Sequence, residues 1–371
     1  MYKILFFSFL FVACFSPKRE DVFTAAENLP QEIAFTEVVP VSVCLDSIPT
    51  SYLGKVITYK DCLLFIDEKF CYAYLFDRSG KLLKRCLGKG HSPKEIPVDE
   101  ITGYCVNNRE EIVIFSDLLY FVYDSTFTLK YYNTVKTHTR SPHQPKRGDN
   151  PFIYSWPYDK FVIHGYDSTL YYTAINKAFS YITESRKFFS ECFTILQVDA
   201  PTGVPEKVLG PYPPIYQERS FCQFPYCSFD LDSEGNVYVC YEADSLIYKF
   251  DKRHKNIRTF GQSGRDMDCD YIALSHQASL RSLYLQERAT RGFYDQVLYV
   301  DSLNWLCRVY QKGGSALTDG LQVYDSTYRL IADCDIPKGF RLCGYISPCL
   351  YFYKVEEETE KILSFKLSFC Y

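Results

Sequence analysis

The stretch of this chain whose spacing most invites a metal is Asp230-x-Asp232-x-Glu234-Gly235. Alternating carboxylates ahead of a glycine open a calcium loop, but that loop needs a bidentate Glu at its twelfth position, and Tyr241 stands there. The flanking apolar runs read as strands and not as the required helices, so these Asp residues are expected to close a turn by accepting backbone N–H groups. Gly88-x-Gly90 supplies two glycines of a dinucleotide fingerprint, yet Pro93 and Pro97 break the helix that must follow. Neither a Gly-x-Ser-x-Gly elbow nor a Ser-x-x-Lys set with its companions is present. The 16 cysteines lie mostly inside apolar runs, as in Leu306-Cys307-Arg308, where they act as small buried hydrophobes. Cys222-x4-Cys227 and Cys343-x5-Cys349 come nearest to a zinc spacing, with no matching second half among six scattered His. A local bridge from Cys222 to Cys227 is compatible with the spacing, subject to geometry. No catalytic, cofactor-binding or metal-ligating residue is singled out.

The residue to which the sequence does assign chemistry is Cys14. Met1-Tyr2-Lys3 carries a positive charge, Ile4 to Val12 is apolar or small, and Ala13-Cys14 follows, the order of a signal peptide. As a helix those nine residues reach about 14 Å, against roughly 30 Å of hydrocarbon, so they do not span a bilayer. Phe11-Val12-Ala13-Cys14 resembles the lipobox of bacterial lipoproteins, with Phe11 in place of the preferred Leu. The resemblance implies that residues 1–13 are removed and that Cys14 carries lipid. Residues 14–30 then read as a flexible tether, in which Lys18-Arg19-Glu20-Asp21 resembles the charged export signal of surface lipoproteins in Bacteroidetes.

Behind these residues stands a chain built for sheets. Aromatics make up 17% of it, with 33 Tyr and 29 Phe, and such side chains favour pleated, half-buried surfaces. Hydrophobic content of 47% excludes disorder, and a net charge of −4 lacks the basic footprint that nucleic acid requires. A loose unit recurs along the chain: an apolar strand, a turn, then an aromatic strand that ends in Asp. Its pre-turn position falls at Phe76, Tyr123, Val198, Phe250, Tyr324 and Phe365. Four short strands at a period of roughly 40–50 residues describe a β-propeller blade, and the two longer intervals leave room for insertions. Thr137 to Pro157 reads as a long surface loop, Ala273 to Arg291 as a short helix, and Ala174 to Lys187 as ambiguous between helix and strand.

Leu87-Gly88-Lys89-Gly90-His91-Ser92-Pro93-Lys94-Glu95 resembles the Gly-x-Gly-x-x-Pro-x-Glu segment of the TolB-like, six-bladed β-propeller lipoproteins of Bacteroidetes. Phe260-Gly261-Gln262-Ser263-Gly264 is similar without the Pro and Glu, and the likeness extends over most of residues 35–369. The resemblance implies a six-bladed propeller and export, and carries no catalytic residue with it. The expectation is therefore an all-β, six-bladed propeller over residues 31–371, closed by Phe35–Val41 pairing beside Leu363–Phe369. The alternative has seven blades, with Phe161–His164 and Leu170–Tyr172 forming one of their own. The expected function is an envelope-anchored ligand-binding or scaffold module. It would be held to the outer membrane through lipid on Cys14 and would bind a protein or glycan on one propeller face. The rival is a propeller enzyme acting on carbohydrate or peptide at the central channel. A His–carboxylate pair or converging carboxylates at a deep channel mouth favours the enzyme, and a neutral channel favours binding.

Overall fold

A computed structural model describes residues 22–29, 41–136, 154–155, 161–176, 180, 183–272, 281–356 and 361–368. Six four-stranded antiparallel sheets follow one another along the chain. Blade 1 is built from Gly54–Tyr59, Cys62–Asp67, Tyr72–Phe76 and Leu82–Leu87, and blade 2 from Gly103–Val106, Ile112–Ser116, Leu119–Tyr123 and Leu129–Thr134. Blade 3 is Ile163–Tyr166, Thr169–Thr173, Phe193–Asp199 and Val204–Pro211, and blade 4 is Cys227–Leu231, Val237–Tyr241, Ile247–Phe250 and Asn256–Phe260. Blade 5 comprises Arg291–Val300, Trp305–Gly313, Thr318–Tyr324 and Leu330–Pro337. Blade 6 takes Arg341–Ile346, Cys349–Glu356 and Lys361–Ser368 from the end of the chain and Val41–Cys44 from its beginning. The first strands of successive blades contact one another around the ring, which places them at the axis.

The second strand of each blade explains why so many segments are apolar at every position. In Cys62–Asp67 the side chains alternate between two neighbours: Leu64 and Ile66 pack with Ile112, Ile114 and Phe121 of blade 2. Leu63 and Phe65 pack with Cys349 and Tyr351 of blade 6. A strand covered on both faces must be hydrophobic throughout. The outer strand Leu129–Thr134, with one face to solvent, alternates between half-buried and exposed residues.

All six recurring pre-turn residues fall on third strands, one in each blade. In blades 1 to 5 they sit at the register shift where the third strand meets the outer strand, as between Leu75 and Phe76 and between Val323 and Tyr324. The Asp that follows does the mechanical work expected of it. Asp77 Oδ1 accepts the Ser79 and Lys81 N–H groups, and Asp124, Asp251 and Asp325 repeat the pattern in blades 2, 4 and 5.

The six-blade count holds. The segment that suggested a seventh blade supplies the first two strands of blade 3, which Phe193–Asp199 and Val204–Pro211 complete. Ring closure uses the C-terminal strand as expected, but the described partner is Val41–Cys44, with Val41 opposite Lys366 and Cys44 opposite Leu363. Residues 35–40 lie outside the described residues. The tether expectation is corrected at its C-terminal end, because residues 23–27 are bound to blade 4. Phe23 packs edge-on against Tyr248 with ring centroids 4.8 Å apart, and Thr24 N–H donates to Asn256 Oδ1. Ala26 pairs in parallel with Thr259, and Glu27 meets Arg258 at 2.5 Å. An aromatic ring and backbone donors that match an open strand edge outweigh the freedom a tether would keep.

The helix anticipated between residues 273 and 291 is Arg281–Thr290, the ambiguous segment Ala174–Lys187 begins with the strand Ile175–Asn176 and ends in the first residues of the helix Ser185–Glu191, and Pro214–Arg219 adds a short third helix. Residues 137–153 and 156–157 lie outside the described residues; Tyr154–Ser155 pairs with Ile175–Asn176. Cys222 and Cys227 are buried and unbridged.

Candidate functional site

Six inner strands enclose two communicating cavities on the propeller axis. The wider one, about 620 Å³, opens where those strands end, and it is lined by Thr58 of blade 1, Asn107 and Asn108 of blade 2, and His164 and Tyr166 of blade 3. Asp230, Asp232 and Ser233 of blade 4 and Tyr299 and Asp301 of blade 5 complete its polar wall. The narrower one, about 150 Å³, continues inward past Lys55, Phe161, Asp295 and Arg341. Ile57, Tyr104, Ile163, His164, Leu298 and Cys343 line both, so they mark the neck between them.

His164 is the polar group at that neck. Its Nδ1 lies 3.0 Å from Asp230 Oδ1, and its ring stands edge-on to Phe229 with centroids 5.0 Å apart. Asp230 is held from three sides. Oδ1 also accepts the Leu231 N–H at 2.8 Å, while Oδ2 accepts the Tyr299 N–H at 2.7 Å across the junction to blade 5. Burial pushes the Asp230 carboxyl above its ordinary range, and His164 with the two backbone donors pulls against that rise. With Nδ1 committed to the carboxylate, Nε2 is the imidazole atom left to the channel.

The mouth is stitched from blade to blade. Lys60 meets Glu110 at 3.2 Å between blades 1 and 2, and Asn108 exchanges hydrogen bonds with Asp167 between blades 2 and 3. Tyr166 Oη donates to the Ser233 carbonyl, and Ser233 N–H donates to Asp301 Oδ1 at 2.7 Å, joining blades 3, 4 and 5. Arg78 closes from blade 1 onto the Ser347 carbonyl of blade 6. Asp232, which the sequence placed in a turn, accepts from the Glu234 and Asn236 N–H groups. It also meets Lys249 Nζ at 3.3 Å and the Tyr238 hydroxyl at 3.2 Å. Its carboxylate is thus consumed by the fold. Gly88 to Glu95 is structural too: Gly90 and Ile96 pair across the loop, and the Pro93 carbonyl accepts the Leu129 N–H of blade 2.

At the narrow end the charges are packed tightly. Lys55 Nζ donates to the Phe161 carbonyl at 2.5 Å, and Arg341 Nε lies 4.0 Å from Asp295 Oδ2. Nearby Glu68 is pushed up from 4.5 to about 7, by burial first and by Glu100 and Asp67, with Lys55 and Arg341 opposing. A carboxyl raised on folding binds its proton more tightly in the native state, so its contribution is fully present below pH 4.5 and is lost as pH rises through about 7. A Glu68→Gln variant is expected to lose less stability than the wild type between pH 5 and pH 7.5 in urea titrations. Parallel declines in the two proteins would sink this assignment.

Cys14 lies outside the described residues. The pairing of His164 with Asp230 was missed by sequence reasoning because the two are far apart in the chain and share no local motif. The available signal was positional: each is a polar residue on the inner strand of its blade, and adjacent blades bring them together. Among the described residues no three His, Cys, Asp or Glu side chains converge as metal ligands.

No known family profile and no curated protein matches the chain. Solved structures do. A member of the DUF4221 family from Bacteroides vulgatus superposes with a TM-score of 0.66 at 14% identity, covering 89% of this chain and 97% of its own. A protein from Bacteroides fragilis described as exported superposes with a TM-score of 0.53, also at 14% identity, covering 92% and 98%. At such identities the likeness is one of fold: this chain is a six-bladed β-propeller with structural neighbours in Bacteroides.

Proposed function

We propose that the protein is a ligand-binding propeller of the cell envelope, anchored to the outer membrane through lipid on Cys14, whose ligand enters the wide mouth of the channel. The observation that carries the reading is the cavity of about 620 Å³, which is preformed by hydrogen bonds between blades and lined by polar residues from five of the six blades. Its size matches sites that enclose a small ligand, and a wall already held in place loses little entropy when one arrives. The export-like N-terminus supports the location, as does a fold shared with a Bacteroides protein described as exported.

A second reading, a propeller enzyme acting on carbohydrate or peptide, is favoured by His164 and Asp230, which form the His–carboxylate pair expected of a general base. Binding takes precedence because Asp232, beside that pair, is committed to Lys249 and Asn236 and supplies neither acid nor nucleophile. Mass spectrometry of protein purified from expressing cells tests both parts of the proposal. The expected results are a diacyl or triacyl mass on Cys14 and a non-covalent ligand that is released on unfolding and lost in His164→Ala. An unmodified Cys14 overturns the anchor. A channel that is empty in the wild type, or equally occupied in His164→Ala, overturns the binding site. Conversion of the released ligand by wild type but not by His164→Ala would establish the enzyme instead.

A further inference from the structure

Three acidic residues line the wide mouth without a Lys or Arg among its lining residues, which at first suggests a cationic ligand. The hydrogen bonds argue otherwise. Asp232 is neutralised by Lys249, and Asp230 is taken up by His164 and two backbone N–H groups. What the wall offers is different in kind. Asp301 spends one oxygen on the Ser233 N–H, and the second is uncommitted among the described residues. Thr58 of blade 1, His164 of blade 3 and Ser233 of blade 4 add two hydroxyls and an imidazole to the lining of the same mouth.

Beside them is an aromatic face. Tyr299 stacks on Tyr238 with ring centroids 4.9 Å apart and planes 12° from parallel, and Lys249 Nζ lies 5.0 Å from the Tyr238 centroid. One face of Tyr299 is therefore covered by a fixed layer, while the residue itself lines the cavity. Tyr166 lines the opposite side of the same Ser233 backbone and is tied to it through its hydroxyl.

From this juxtaposition we propose that the mouth binds a neutral saccharide, with a pyranose ring laid on Tyr299 and its hydroxyls shared between Asp301 and His164. The inference rests on the channel-mouth reading above and names its ligand class. A pyranose presents a patch of C–H bonds on one face, which suits an aromatic ring. Its hydroxyls at the edge each donate and accept, which suits a carboxylate oxygen and an imidazole nitrogen lining one mouth. A cavity of about 620 Å³ has room for more than one sugar ring. A free ammonium ligand would instead require acidic groups not already paired, and two of the three are paired.

The test is binding of the full mature chain to an array of neutral and acidic oligosaccharides, with trilysine measured alongside and hits followed by calorimetry. At least one neutral oligosaccharide is expected to bind saturably. Its affinity should fall about tenfold or more in Tyr299→Ala and in Asp301→Asn and be largely retained in Tyr299→Phe. Asp301→Asn changes no volume, so it keeps the test valid if Tyr299→Ala folds poorly. No binding of any neutral oligosaccharide, or binding indifferent to both substitutions, overturns the saccharide assignment. If trilysine or an acidic oligosaccharide binds and Asp301→Asn alters its affinity, the mouth remains the site and only the ligand class is wrong. If no probe responds to either substitution, both proposals fall.

Discussion

A chain that begins at Leu45 is expected to form soluble oligomers and to lose about 3–6 kcal/mol of stability relative to one that begins at Pro40. The two differ only by the strand that closes the ring and the residue before it. Val41–Cys44 pairs along its length with Lys361–Ser368. Val43 is buried in the apolar layer between blades 6 and 1, beside Val56, Leu63 and Tyr351. Removing it leaves the outward-facing backbone groups of Leu363–Lys366 unpaired at a sheet edge and exposes the flank of blade 1. Exposed edges of this kind pair with other chains. Both truncated chains also lack residues 22–29, so the comparison isolates the closing strand. Size-exclusion chromatography and urea unfolding check the prediction, and a monomer from Leu45 with an unchanged urea midpoint would refute it.

The second large effect is expected at Arg308, on the second strand of blade 5 and fully buried. A guanidinium taken out of water survives only where its donors are satisfied. Here Nη1 donates to the Ser245 carbonyl at 2.8 Å, Nη2 to the Gln262 carbonyl at 2.6 Å and Nε to Gln322 Oε1 at 3.0 Å, while the Tyr294 ring lies 4.0 Å from the guanidinium carbon. These partners come from blade 4, from the connection between blades 4 and 5 and from blade 5, so one side chain joins two blades. Arg308→Ala leaves the buried acceptors empty and opens a cavity, for an expected loss of about 3–5 kcal/mol. Arg308→Lys should recover only part of this, because an ammonium cannot span the same fork. Urea unfolding of the two variants checks the order, and a near-neutral Arg308→Ala would show that the cluster relaxes.

The blades were legible because their determinants are local. A strand buried on both faces has to be apolar throughout, as Leu63 to Ile66 are, and a turn Asp such as Asp77 or Asp325 serves residues no more than four positions ahead. The count survived the long insertion in blade 3 because Val198 still marks the third strand there. The docking of Phe23 was not legible, since a phenylalanine in a segment with no strand or helix period does not show that Tyr248 waits for it. The site was hidden for the same reason. His164 and Asp230 become neighbours only when inner strands of adjacent blades meet at the axis, and Asp232 looks like a ligand until Lys249 is placed beside it.

The way the ring is fastened also sets a timetable. Ribosomes make the chain from its N-terminus, yet Phe23 to Glu27 must wait for Tyr248 to Thr259, and Val41–Cys44 for Lys361–Ser368. At about 5–20 residues per second the interval before the closing strand meets its partner lasts tens of seconds. Blades 1 to 5 can assemble meanwhile as an open arc, with the flank of blade 1 uncovered and a prey to aggregation. Export, as proposed above, would then have to shield a half-built circle, and a passage across the membrane that keeps the chain unfolded until its last strand is free would do so.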